Sequence, residues 1–72
     1  MIIMFNNKWG VTAENFGAEV EIIKIFSSKE KAEAFKEELD KDGYYYHTAL
    51  LTSKDIEIYK EWGYESLFSF QS

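Results

Sequence analysis

Every strand-like stretch of this 72-residue chain carries apolar side chains at both odd and even positions. Successive side chains of a strand point to opposite faces of a sheet, so such a pattern builds a sheet that is oily on both sides. Residues 2–9 read as a first strand, 10–17 as a connection with two glycines, 18–26 as a second strand and 44–52 as a third. In the first, Ile2 and Met4 oppose Ile3, Phe5 and Trp9. In the second, Val20, Ile22 and Phe26 oppose Ile23 and Ile25, and in the third Tyr44, Tyr46 and Leu50 oppose Tyr45, Ala49 and Leu51. A half-solvated antiparallel sheet shows one polar face, and none of these segments has one.

Between the second and third strands lies a helix signal. Ser27-Ser28-Lys29-Glu30 fits an S-x-x-E capping box with Ser27 at the N-cap. Gly43 supplies a C-terminal stop, which places the helix at about 28–41. Ala32, Phe35 and Leu39 fall on one stripe, while Lys29–Glu33, Lys36–Asp40 and Glu37–Lys41 are opposite charges four residues apart.

Residues 54–62 can be read two ways. As a strand, Ile56, Ile58 and Trp62 alternate with Glu57 and Glu61. As a helix, Thr52 or Ser53 caps the start, Gly63 ends it, and Tyr64 packs back on the last turn. The sequence Trp62-Gly63-Tyr64 favours the helix. Leu67-Phe68-Ser69-Phe70 reads as a short edge strand. The fold expected is therefore α+β in a single domain: a small antiparallel sheet with a ββαβ core, one main helix and a second short element.

One helix covers one face of such a sheet. The other must be covered by the C-terminal segment, with Ile58, Trp62, Phe68 and Phe70, or by another chain, a homodimer being the commoner case. Leaving the side chains wet would forgo roughly 1.5–3 kcal/mol each. A chain this short needs a dense core, a staple or a partner. Disulfides are excluded because there is no cysteine, and 13 aromatics supply the apolar area instead.

Charge narrows the partners. Eight lysines, no arginine and 13 acidic residues give a formal charge of −5, the wrong sign for neutralising phosphates. Direct nucleic-acid binding is not expected, even with the Tyr44-Tyr45-Tyr46 run, because stacking platforms come with basic flanks. Acidity allows the opposite idea, a surface imitating nucleic acid, although four lysines interleave with the carboxylates of the helix. No apolar run approaches the ~18 residues of a membrane span. The N-terminal Met1–Phe5 run is too short for a signal-peptide core, so a cytoplasmic location is expected and membrane insertion is not.

Catalytic groups are scarce. The chain has one histidine, His47, no nucleophile elbow and no phosphate-binding glycine motif. Glu38, Asp40, Asp42 and Gly43 have the early spacing of a calcium loop. The carboxylate such a loop needs at its twelfth position is Ala49 here. No enzyme activity, cofactor or metal is expected.

Residues 22–35, Ile-Ile-Lys-Ile-Phe-Ser-Ser-Lys-Glu-Lys-Ala-Glu-Ala-Phe, resemble a pattern found in short, mostly uncharacterised proteins of phages and low-GC bacteria, where a strand ends in Phe-Ser and a Lys/Glu-Ala helix follows. That resemblance implies a ββαβ core without an active site, and by analogy a protein that binds and disables a larger host protein.

The function expected is thus that of a small acidic, non-catalytic protein that binds another protein, as a phage-type inhibitor or modulator would. The alternatives are a nucleic-acid-mimicking inhibitor of a DNA-handling protein and a homo-oligomeric structural or accessory protein. Candidate contacts are Trp9, Tyr45, Tyr59, Trp62 and Tyr64, with Glu19, Glu21, Glu57 and Glu61 as a charged rim.

Overall fold

The computed structural model describes residues 7–17 and 19–71. Strand β1 spans Trp9–Glu14, β2 spans Val20–Phe26, helix α1 spans Lys29–Asp42, β3 spans His47–Leu51, helix α2 spans Ser53–Glu61, and a 3-10 turn at Glu65–Leu67 leads into β4, Phe68–Phe70. The expected α+β class and ββαβ core are present. The sheet order is β3-β1-β2-β4. β1 is antiparallel to both β2 and β3, and β4 adds to β2 in parallel, so the sheet is mixed rather than purely antiparallel.

The pairing directions make β2, β3 and β4 mutually parallel. The chain therefore crosses the sheet twice through a helix, from β2 by α1 to β3 and from β3 by α2 to β4. The two crossovers travel in opposite directions along the sheet. Crossovers of one handedness that travel in opposite directions place their helices on opposite faces. This arrangement settles what covers the second face: the C-terminal segment does. Val11, Phe26 and Ala32 are buried under α1, with Trp9, Phe35, Leu39 and Leu50 packed around them. Ile23, Ile25, Leu51 and Ile56 are buried on the other side, with Val20, Tyr59, Tyr64 and Phe68 around them. Of the residues expected in that cover, Phe68 joins the packed cluster and Ile58 is half-buried outside it, whereas Trp62 and Phe70 stay exposed.

Several local expectations change. The first strand, expected over 2–9, falls largely outside the described residues. The strand itself begins at Trp9 and runs to Glu14, through what reads as a connection. Gly10 misleads because it is a packing glycine: a Cβ there would sit 3.3 Å from Ile56 Cγ1 and 3.4 Å from Leu51 Cβ. α2 can lie this close to β1 because that side chain is missing. The alternation in β2 breaks as well. The register shifts between Ala13 and Glu14, so Ala13 pairs with Ile22 and Glu14 with Val20. Glu21 is the extra residue of a bulge, and Val20 turns to the Ile23 side instead of sharing a face with Ile22 and Phe26. The third strand starts at His47 rather than Tyr44.

Helix α1 is capped one residue later than expected. Ser28 is the N-cap, and its hydroxyl accepts from the Lys31 amide at 3.2 Å. Gly43 ends the helix with φ 68°, donating its amide to the Leu39 carbonyl, the left-handed conformation that glycine adopts without penalty. In α2 a full capping box is present: the Thr52 side chain accepts from the Asp55 amide, and the Asp55 carboxylate accepts from the Thr52 amide. Its far end closes with Tyr64 N–H donating to the Tyr59 carbonyl at 3.1 Å and Gly63 N–H to Lys60 at 3.1 Å. These two bonds, with Gly63 at φ 94° and the Tyr59 and Tyr64 rings 5.6 Å apart, make a Schellman stop with its apolar contact. Ser53 also pins the helix start to the chain before β1, donating to the Lys8 carbonyl at 2.9 Å.

Candidate functional site

With both faces of the sheet covered by the chain's own helices, surplus apolar surface has to be sought at the ends of the sheet. One set of exposed side chains lies where the β1–β2 turn meets the loop from α1 into β3, and a second, Trp62, Leu67 and Phe70, belongs to the C-terminal segment. Phe16 is 82% exposed, Tyr44 66% and Tyr46 65%. Large apolar side chains clustered in the open mark contact surfaces more reliably than scattered ones.

This end is built by Asn15. Its side-chain oxygen accepts from Gly17 N–H at 2.9 Å and Glu19 N–H at 3.3 Å, and its Nδ2 donates to the Glu21 carboxylate at 2.7 Å. The Asn15 amide donates to the Glu19 carbonyl at 3.1 Å. An asparagine side chain bonded to backbone two residues on closes a turn locally, and here it holds Phe16 at the tip. Tyr46 is brought beside it by its amide, which donates to the Glu14 carbonyl at 2.8 Å. The Phe16 and Tyr46 rings lie 5.6 Å apart, and Tyr44 and Tyr45 meet edge to face at 4.9 Å.

The same elements carry carboxylates, of which Glu21 and Asp42 act on Tyr45. Glu19 and Glu21 belong to the turn and the bulge, and Asp42 ends α1. Burial pushes the Tyr45 phenol above its ordinary range, and the charges of Glu21 and Asp42 add to the shift. All eight lysines are described, and two lie over rings elsewhere: Lys24 Nζ is 4.6 Å from the Phe35 ring centre and Lys29 Nζ 5.3 Å from that of Trp9. Among the described residues, none lies over Phe16, Tyr44 or Tyr46.

The residues expected to form one contact surface occupy three places. Glu19, Glu21 and Tyr45 are at this tip. Trp9 is half-buried under α1, beneath Lys29. The rest belong to α2 and its stop: Tyr59 and Tyr64 are half-buried against the core, Glu57 is half-buried, and Glu61 is exposed. Trp62 is 67% exposed, with its ring 5.5 Å from that of Tyr59. Phe16, Tyr44 and Tyr46 were not among the expected contacts. Phe16 had a signal, an aromatic set between the turn formers Asn15 and Gly17. The two tyrosines were masked by the overlong third strand, which assigned them to a sheet face.

Other chemistry-bearing groups stand apart from the tip. The exception is His47, exposed at the start of β3 directly after Tyr46 and paired across the sheet with Glu14, at the base of the tip. A groove of about 420 Å³ runs along α1, lined by Glu33, Lys36, Glu37, Asp40 and Leu50. Its Asp40 is already engaged: the carboxylate accepts from the Thr48 hydroxyl and pairs with Lys36 Nζ at 3.0 Å. Among the described residues, no three His, Asp or Glu side chains are grouped to hold a metal. None of the described helices is long and apolar enough to cross a membrane. The chain matches no family model, no curated protein and no solved structure.

Proposed function

We propose that this chain is a small, non-catalytic protein that works by binding another protein through the aromatic tip of Phe16, Tyr44 and Tyr46. One observation carries the reading: Phe16, 82% exposed, is held on a turn braced by three Asn15 side-chain hydrogen bonds. Aromatic side chains anchor protein interfaces, and an anchor already fixed in place loses little conformational freedom on docking. The resemblance of residues 22–35 to short phage proteins makes a larger host protein the partner class to test first.

The partner is a different protein rather than a second copy. A two-fold contact sets the same patch against itself, and here that would bring the carboxylates of Glu19, Glu21 and Asp42 against an equally acidic patch, which costs association energy.

The test is a quantitative pull-down comparing the wild-type chain, the Phe16→Ser/Tyr46→Ser double variant and Trp62→Ser. The proposal expects a protein recovered by the wild type and by Trp62→Ser and lost with the double variant, whose circular dichroism is unchanged. An identical set of recovered proteins for all three chains would contradict it.

A further inference from the structure

We infer that the segment seated on this tip is cationic, an Arg- or Lys-bearing stretch of the partner whose charged groups stack on Phe16 and Tyr46 and pair with Glu19 and Glu21. This inference rests on the binding reading above and specifies the partner's chemistry.

The fold itself supplies the comparison. On the α1 side of the sheet, the half-buried aromatic rings Phe35 and Trp9 each carry one of the chain's own ammonium groups over the ring, at 4.6 and 5.3 Å. A cation within about 6 Å of a ring centre is attracted by the ring's electron-rich face. At the tip the rings are far more exposed, and no lysine of the chain is over them. The neighbouring charged groups of the turn and bulge, Glu19 and Glu21, are negative, and the α1 terminus adds Asp42. Lys41 belongs to the same last helical turn but is outnumbered.

The Glu21 carboxylate is also held in place. The bulge puts it outside the sheet alternation, and Asn15 Nδ2 bonds one of its oxygens at 2.7 Å. A carboxylate held by Asn15, the residue before Phe16, is complementary to a guanidinium, which is planar, stacks on aromatic faces and bonds carboxylates through a rigid fork. Arginine is therefore the better occupant of the two. The chain itself contains none, so this chemistry comes from the partner.

The experiment is an unbiased selection of peptides from a random display library on the immobilised full-length chain, with parallel counter-selection on the Phe16→Ser/Tyr46→Ser variant. Peptides that need the tip are expected to be rich in Arg and Lys. Their binding should weaken severalfold between low and high salt, because exposed charge pairs are screened. Glu19→Gln/Glu21→Gln should weaken it by about threefold to tenfold, as expected for the loss of two exposed pairs. Tip-dependent peptides that are neutral or acidic, and insensitive to salt and to the Glu→Gln changes, would overturn the cationic assignment while leaving the binding reading standing. Selection that yields no tip-dependent peptide at all would overturn both.

Discussion

The Tyr46 amide donates to the Glu14 carbonyl at 2.8 Å, and that bond joins two loops distant in sequence into one surface. β1 ends at Glu14 and the hairpin turn follows; Tyr46 is the last residue before β3. The bond continues the β1–β3 ladder, in which Glu14 pairs with His47, one residue beyond the strand. With it, the aromatic tip is an outgrowth of the rigid sheet.

Asn15 is the matching brace on the hairpin side. Replacing it with Ala removes three side-chain hydrogen bonds. Exposed bonds of this kind contribute modestly, so Asn15→Ala should cost only about 1 kcal/mol in urea unfolding. The larger effect should be local, a drop in the backbone NMR order parameters of Phe16 and Gly17. A tip as rigid as the wild type would mean that Asn15 does not hold it.

The second face depends on how closely α2 approaches β1. Ile56 is fully buried against Ile23, Ile25 and Leu51, so Ile56→Ala should cost about 2–5 kcal/mol. Gly10→Val should also destabilise, by about 1–3 kcal/mol, since even a Cβ at Gly10 meets Ile56 at 3.3 Å. The two positions are in contact, so combining Gly10→Val with Ile56→Ala should be less harmful than the sum of the two. Strict additivity in denaturant titrations would contradict the packing described.

Asp40 predicts a pH dependence. Hydrogen bonds from Thr48 and Lys36 hold its carboxyl below the ordinary value of about 3.8. A carboxyl whose folded pKa is depressed adds stability above its unfolded pKa and loses it as pH falls through the folded value. Asp40→Asn should therefore melt lower than wild type at neutral pH, with the gap closing in acid below that ordinary value. An equal gap at pH 7 and at pH 2 would show that the carboxylate charge is not what matters.

Thr12 sits at the centre of the sheet, 1% exposed, between Ile23 and Ala49. Its hydroxyl has no hydrogen-bond partner among the described residues. An unpaired buried hydroxyl is costly, so Thr12→Val should raise stability by about 1 kcal/mol in thermal or chemical unfolding. A destabilised variant would reveal a partner for that oxygen.

What the sequence made legible was whatever had local chemistry. Gly43 marked the α1 stop, Thr52 or Ser53 the α2 start, and Gly63-Tyr64 the α2 stop, because caps are set by residues within one turn of each other; between the adjacent serines Ser27 and Ser28 the sequence pattern puts the α1 cap one residue early. Two-sided apolar strands correctly demanded two covers. What stayed hidden depends on distant contacts: Gly10 reads as a turn until Ile56 is seen against it, and the bulge at Glu21 arises from pairing with β1. Tyr44 and Tyr46 looked like strand residues because their β propensity is high, yet the strand begins only at His47. Of the residues expected as contacts, Glu19, Glu21 and Tyr45 fall at the tip, while Phe16, its most exposed ring, went unread despite the local signal of its flanking Asn15 and Gly17.

The most direct measurement is site-specific photo-crosslinking in cells of the organism that makes the protein, with benzoylphenylalanine at position 16 and, as a control, at the exposed α1 position Glu33. The account predicts a discrete adduct with one protein from position 16 that is absent from position 33. No adduct from position 16, or the same adducts from both, would contradict it.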